Sequence, residues 1–556
     1  MFYGSYIGFG GGGGGAADAF SIGNSCRFDG SARVTNANGT PTSATTATIA
    51  FWFKLGVLTA EQAFFGAEGF YTGLAINVGK TLQIVHGDSG AVVLTTTQVF
   101  RDPTAWYHCM VVFDTTEGTD TNRVKLYING AQVTAFTAGT WPSEDAAFVR
   151  WNTSGYTNLV GDGHSTKANF DGYLAEFHSV DGAALAPTVF GEFDDNGVWR
   201  PIEVSGVTYG NNGFYLDFAV APATGNGAGT DVSGNSNHCT DSGLVAADQV
   251  TDTPTKNYCT WNPIIPTDAV LSDGNLTVAL TGNVVYDSAG ATISFPPSGK
   301  FYFEVTATTL GSTNGIYIGI ADAATIKKDT SGIDSDVKIR AYQGTAGTIR
   351  SDLVASASYG DAWGQGETVG VAVDMDNGAL YFRNEGVWQD SGDPTSGASK
   401  TGAAFTDLVS SGHTWTPFVH NDGTSESVYA LNCGQFDYED TAPEGFKNLN
   451  TANFPAPQRT GHVDSQFVGA YDTGENIVAT LDAAKDGTWT SYINMYRILN
   501  NAGTGANWQF SDDTSNQLTL PGPSPGAKSS FVNPSVTASA NTWNGYSWRV
   551  GAAYGV

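Results

Sequence analysis

Two hairpin signatures, far apart in the chain, restrict it to a fold built of β-strands. In the first, Val124, Leu126 and Ile128 alternate with Arg123, Lys125 and Tyr127, and Asn129-Gly130 follows. Side chains alternate between the faces of a strand, so this spacing sends one set to a core and the other outward. Asn-Gly is the preferred pair of a type I′ turn, in which both central residues take positive φ. In the second, Val369, Val371 and Val373 alternate, Asp376-Asn377-Gly378 turns the chain, and a strand resumes at Leu380. Asn384-Glu385-Gly386 then leads into Val387-Trp388. The runs Ile49–Lys54, Leu82–His86 and Trp106–Phe113 read as further strands.

At 556 residues the chain is too long for one core and long enough for three or four domains. Seventy glycines, 12% aromatic residues and only 14% charged residues suit short strands joined by tight turns. One segment, Trp489–Asn500, places Ile493, Tyr496 and Ile498 where they could share a helical face; so short a run reads as helix or strand equally well.

The net charge of −29 repels phosphate backbones and anionic bilayers. Nucleic acid is therefore not an expected partner, and solubility is the plain consequence of the charge. No stretch is long enough for membrane insertion. The N-terminus lacks the basic start and unbroken apolar segment of a signal peptide, so Sec export is not expected, and a chain working outside the cell would leave by another route such as lysis. The five cysteines (Cys26, Cys109, Cys239, Cys259 and Cys433) are too few and scattered for a disulfide framework. Cys239 and Cys259 flank a loop and could pair, but an odd count suits free thiols in a reducing compartment.

The chain divides into a glycine-rich arm over 1–21, a first sandwich over 22–200, a bridge over 201–265, a second sandwich over 266–452 and a small β-rich domain over 453–556. The bridge holds one good strand from Gly213 to Ala219 and a polar stretch from Thr224 to His238. Gly10 to Gly15 are unbroken glycine, which gains order only against a partner because of its entropy cost.

The first sandwich resembles the laminin-G-like, concanavalin A-like lectin/glucanase superfamily. The stretches that carry the resemblance are Ile49–Lys54, Trp106-Tyr107-His108, Val124–Gly130 and Phe170–Glu176. The second resembles a SPRY (B30.2-type) domain through Gly299–Val305, Ile318–Ala321, Glu367–Asp374 and Trp415–Phe418. Their order, with Phe100–His108, Phe190-Gly191-Glu192, Gly197-Val198-Trp199, Tyr209–Leu216 and Asp252-Thr253-Pro254-Thr255, is similar to that of fibre-like or lectin-like virion proteins of tailed bacteriophages. The resemblance implies an all-β architecture of tandem β-sandwiches, a jelly roll and then a SPRY-like sandwich, with a small β-rich C-terminal domain. It also implies a virion protein made in the host cytoplasm and displayed on the particle as a tail fibre, spike or head fibre. Its expected partners are other virion proteins through the arm, further copies of itself as a trimer, and a host-surface glycan. A capsid or tail decoration role and a polysaccharide depolymerase are the alternatives.

A glucanase of this superfamily needs two carboxylates about 5 Å apart, supplied by one strand as Glu-x-Asp-x-x-Glu. The nearest run, Glu192-Phe193-Asp194, has Gly197 where the last acid belongs, so no catalytic residue is expected. Neither a Gly-x-Ser-x-Gly elbow nor a zinc spacing is present. A sugar site would combine an aromatic platform with polar side chains. Trp141, Trp151, Tyr156 and His164 lie in loop-like sequence and could supply it. In the second sandwich Arg340, Tyr342, Trp363, His420 and Asp422 fall near the loops with which SPRY domains grip partners. Each aromatic would equally serve core packing, as Trp52, Trp106 and Trp415 are expected to do. Asp162, His164, Asn169 and Asp171 could hold calcium through carboxylate and carbonyl oxygens, or could simply form a solvated turn. No other cofactor is expected.

Overall fold

A computed structural model describes residues 20–454 apart from short segments at 57–59, 68–71, 87–91, 163–166, 195–196, 224, 266–267, 281–286, 312–314, 327–336, 353–355 and 424. Beyond these it describes the backbone of five strands between 467 and 521. The arm over 1–19 and His164 lie outside the described residues. The protein is all-β, and helix among the described residues is limited to short 3-10 turns, the longest Pro394–Ser399. Residues 1–457 form one unit and 458–556 another.

The first sandwich packs an eight-stranded sheet on a nine-stranded one. The centre of the eight-stranded sheet is Thr46–Leu55, paired antiparallel with Trp106–Asp114 on one side and Asp171–Asp181 on the other. Ile49, Phe51 and Phe53 enter the core between the sheets and meet Phe64, Phe65, Phe170 and Phe177. Ala50, Trp52 and Lys54 face the opposite side and are buried too, so no residue of Ala47–Leu55 is open to solvent. A sheet covered on both faces explains the near-continuous apolar run. Trp52 and Trp106 accordingly lie outside the intersheet core, in a second apolar layer with Tyr173, Trp199 and Val250. Trp415 does lie between the sheets of the second sandwich.

The outer layer comes from residues 185–261, so the segment 201–265 is no free bridge. Phe214–Leu216 pairs with Asp171–Asp181, Gln249–Val250 with Ser25–Asp29, and Thr240–Ser242 with Arg33–Ala37 in the nine-stranded sheet. Its polar stretch is pinned through side chains. Asn237 Nδ2 donates to the Asn211 and Gly213 carbonyls at 2.8 Å each, and Asp231 caps Tyr215, Ser233 and Asn237. Asp181 holds the Tyr209–Gly213 turn by accepting from the backbone of Thr42, Ser43 and Asn212 and from Asn152 Nδ2. At Asn129-Gly130 φ is +48° and +76°, as the turn type requires. A β-carbon on Gly130 would collide with the Trp199 ring, which seats the hairpin under the outer layer.

The second sandwich packs an eight-stranded sheet centred on Lys300–Leu310 and Thr368–Asp374 against a six-stranded sheet centred on Trp415–Asn421 and Ile316–Asp322. Phe301, Phe303, Val305, Val369, Val371 and Val373 point between them. Its second turn is Glu385-Gly386, with φ of +45° and +80°. The two sandwiches are joined by hydrogen bonds. Tyr173 Oη donates to the Gly274 carbonyl at 2.8 Å, Thr251 Oγ1 donates to the Gln435 carbonyl at 3.2 Å, and the Thr451 N–H donates to the Asn257 carbonyl at 3.0 Å.

The described residues of the C-terminal unit form a five-stranded antiparallel meander, Phe467–Tyr471, Asn476–Leu481, Arg497–Asn501, Asn507–Ser511 and Gln517–Pro521. The helix considered over Trp489–Asn500 is overturned at its C-terminal end. Arg497–Asn501 pairs along its whole length with Asn507–Ser511, so its backbone groups are held by a ladder rather than a helical turn. The rest of that segment lies outside the described residues. All five cysteines are buried and free, so Cys239 and Cys259 are not paired.

Candidate carbohydrate-binding surface

Most of the residues expected to grip a ligand are enclosed. Trp151 is 1% exposed and packs on Phe65 with centroids 5.0 Å apart. Tyr342 and Trp363 belong to the second core. Arg340 is buried on the Trp415 ring, and its guanidinium forks onto Asp407 at 3.0 and 2.6 Å while also meeting Asp352. All four are thus enclosed and support the core and its loops. Loops that close a sandwich must plug its ends, and large side chains in loop-like sequence do that. Trp141 is half-buried against the first core, and only Tyr156 is openly exposed, with the Arg150 guanidinium 5.5 Å from its ring centroid.

His420 and Asp422 belong to a chain of hydrogen bonds. Ser288 Oγ lies 2.7 Å from His420 Nδ1, and His420 Nε2 lies 2.5 Å from Asp422 Oδ1. The residue types are those of a hydrolytic triad, but exposure runs the wrong way. Ser288 and His420 are 4% and 1% exposed, and Asp422 is the member that reaches solvent. A serine nucleophile must meet its substrate. Here both the serine and the histidine are enclosed, so the chain fixes the strand end.

The acids are similarly occupied. Asp194 accepts from the Val198 N–H and from Arg200 Nε at 2.7 Å, closing the small hairpin Gly191–Phe193 with Trp199–Pro201. Glu304 accepts from Tyr302 Oη and the Glu439 and Asp440 N–H groups, and burial raises its pKa. Glu176 sits at a bulge, where burial raises its carboxyl to about 7. Two residues either side of it stand Leu174 and His178, so it has no carboxylate partner of the one-strand kind. For calcium, Asp162 pairs with Arg33 at 3.3 Å, and Asn169 donates to the Ser31 and Ala32 carbonyls. Asp171 joins the ladder to Ser25–Asp29. Among the described residues no three His, Cys, Asp or Glu side chains gather as a metal site.

A concave feature that sequence reasoning did not identify lies at one end of the first sandwich. It is a basin of about 170 Å³ lined by Leu55, Lys80, Arg101, Pro103, Pro263 and Ile264. The turn that ends at Lys80, with φ of +62°, and the loop at Phe100 meet because the Phe100 N–H donates to the Lys80 carbonyl at 2.8 Å. Neither Lys80 nor Arg101 has a carboxylate partner among the described residues, in a chain with 54 acids to 25 bases. Proline and aliphatic walls offer an apolar face, and two cations offer donors to an anionic group. The one available signal was the rarity of basic residues. Nothing in sequence indicates that two of them, 21 positions apart, would meet.

This architecture defines an all-β protein of tandem sandwiches. Residues 28–189 match the model of the concanavalin A-like lectin/glucanases superfamily, and residues 300–419 match that of the SPRY domain. The chain thus carries a concanavalin A-like domain followed by a SPRY domain. Among solved structures, the SPRY domain of human HERC1 is 14% identical over 32% of this chain and 99% of its own, with a TM-score of 0.26. A Bacteroides ovatus protein described as carbohydrate binding is 15% identical over 41% of this chain, which spans 60% of that protein, with a TM-score of 0.30. A heptameric SAP-like pentraxin from Limulus polyphemus is 16% identical over 30% of this chain and 80% of its own, with a TM-score of 0.24. These likenesses are of fold alone. No curated protein matches the chain.

Proposed function

We propose that this protein is a non-catalytic attachment component of a tailed-phage particle, and that its first sandwich binds host-surface glycan. The observation that carries the reading is the basin with Lys80 and Arg101 on a concanavalin A-like domain. Two cations with no carboxylate partner among the described residues, over an apolar floor, suit a sugar residue bearing a carboxylate or sulfate. The order of modules supports the virion assignment through its resemblance to phage fibre-like proteins. In that setting the arm over 1–21 anchors the chain to other virion proteins, and the chains assemble as trimers on the particle surface.

The test is a glycan array probed with the full chain, followed by an assay for new reducing ends on each bound polysaccharide. Binding without release is the expected result. Release of reducing ends makes the protein a depolymerase instead. A purely structural role is the second reading, favoured by the burial of Trp151, Arg340, Tyr342, Trp363 and His420, which serve the fold. Under that reading the array is blank and particles lacking the protein adsorb normally.

A further inference from the structure

At the junction of the two sandwiches, one buried lysine faces a carboxylate and a carboxamide together. Lys54 leaves its strand on the outer face of the sheet and is 1% exposed. Its Nζ donates to Asp252 Oδ2 at 2.8 Å, to Asn257 Oδ1 at 2.8 Å and to the Tyr258 carbonyl at 3.1 Å. Asp252, also 1% exposed, accepts on its other oxygen from Trp106 Nε1 at 3.0 Å and the Tyr258 N–H at 3.3 Å. Asn257 is buried, and its Nδ2 donates to the Thr104 carbonyl, which turns its own carbonyl toward the lysine. The Tyr173 ring centroid lies 5.6 Å from Nζ, and Trp106 packs beside it.

Condensation of an amine with a carboxamide needs the two in contact, a group to move the proton, and exclusion of water. All three are present. The amine meets the carboxamide at Oδ1, 2.8 Å away and one bond from the carbon it would attack, and holding two reactants together in this way replaces a bimolecular encounter by an intramolecular one. A carboxyl group touching the amine is placed to act as general base and then general acid.

We propose that Lys54 and Asn257 become joined by an intramolecular isopeptide bond, with Asp252 moving the proton. Asp252 takes a proton from Nζ, and the freed lone pair attacks Asn257 Cγ. The tetrahedral intermediate returns its proton through Asp252 to the departing Nδ2, and the Cγ–Nδ2 bond breaks. One C–N bond forms and one breaks, and the charge of the lysine departs as ammonium. No oxidant or reductant takes part. The bond links two residues 203 positions apart, fastening the first sandwich to the segment that enters the second. It is a staple independent of redox conditions, and it limits the freedom of the unfolded chain.

The test is the mass of the denatured full chain together with peptide mapping. The expected mass is one ammonia below the sequence value, and digestion yields a branched peptide carrying Lys54 and Asn257. The branched peptide separates this bond from ammonia loss at an Asn-Gly turn such as Asn129-Gly130. The variants Lys54→Arg and Asp252→Asn are expected at full sequence mass. Should they fail to fold, the wild-type measurement decides by itself. Full mass in the wild type, or ammonia loss with no branched peptide, overturns the proposal. Loss of water instead places the bond on Asp252 and overturns the assignment to Asn257.

Discussion

Tyr215 Oη donates to Glu176 Oε2 across 2.5 Å, and the glutamate so held has a backbone φ of +49°. The strand Asp171–Asp181 shifts register between Ala175 and His178, and Glu176 lies in that bulge. Left-handed backbone at a residue other than glycine costs on the order of 1 kcal/mol, so it persists only where its surroundings hold it. Here the holders are aromatic. The His178 ring stacks on Tyr215 with centroids 4.0 Å apart, and its Nδ1 lies 2.8 Å from Tyr209 Oη.

The bulge makes stability fall as pH rises through neutrality. Burial lifts the Glu176 carboxyl to about 7 from an ordinary 4.5; the Tyr215 hydrogen bond opposes the rise and Asp217 adds to it. The folded state therefore holds its proton more tightly than the unfolded one. Its contribution is fully present below pH 4.5 and is lost by the time pH has passed 7, a difference of about 2–3 kcal/mol. Glu176→Gln removes the ionisation. Its melting temperature is expected above wild type at pH 8 and close to it at pH 5. Parallel melting curves at the two pH values would refute this account.

Two histidines act at the other end of the scale. Burial lowers His108 to about 3 and His86 to about 4 from an ordinary 6.5. Both fold neutral, and the unfolded chain binds the protons. Their contribution is complete above pH 6.5 and is lost as pH falls toward 3–4, at most about 3 kcal/mol for His86 and about 5 kcal/mol for His108. His86 packs between Phe113 and Phe148, so His86→Phe keeps an aromatic ring there while removing the titration. The variant is expected to shift the acid unfolding midpoint to lower pH, read by tryptophan fluorescence. An unchanged midpoint would count against it.

What was legible in the sequence was local. The Asn129-Gly130 pair specified its turn, and the alternation of Val369, Val371 and Val373 specified which side chains meet the core. Alternation cannot say whether the far face is covered, because the cover arrives from about 90 to 200 residues away. Trp52, Trp106 and Lys54 were therefore placed only once residues 199–258 were seen to lie over them. The same distance problem hid the basin, whose two cations sit on separate loops. Trp151 and Trp363 misled in the opposite sense. Their flanks read as loop, yet their rings close the ends of the sandwiches, a burial set by tertiary packing rather than by neighbours in sequence.

Arg340 tests whether the loops of the second sandwich are held by charge. Arg340→Met removes both ion pairs, but Asp352 keeps Lys338 at 3.6 Å and Asp407 is 35% exposed, so the expected loss is that of charged hydrogen bonds, about 1.5–3 kcal/mol. Arg340→Lys restores charge without the planar fork and is expected to recover only part of the loss. Urea titration of the three proteins gives the order wild type, lysine, methionine. If the methionine variant unfolds at the wild-type midpoint, the pairs contribute nothing and the loop is held by packing.

Lys80 and Arg101 provide the sharpest test of glycan binding, since neither holds the fold through an ion pair among the described residues. At physiological salt the screening length is about 8 Å, so the bulk of the chain's negative charge lies beyond reach of a ligand in the basin while these two cations stay within it. Each charge-assisted hydrogen bond they donate is worth about 1.5–3 kcal/mol. Lys80→Ala with Arg101→Ala is expected to weaken binding of an acidic glycan by roughly tenfold or more while leaving the melting temperature unchanged. Lys447→Glu, an exposed cation of the second sandwich, changes net charge by a similar amount and serves as control, with affinity close to wild type. Surface plasmon resonance on an immobilised glycan identified by the array measures all three. Wild-type affinity in the double variant moves the site off the basin, and equal losses in the double variant and the control reduce the effect to net charge.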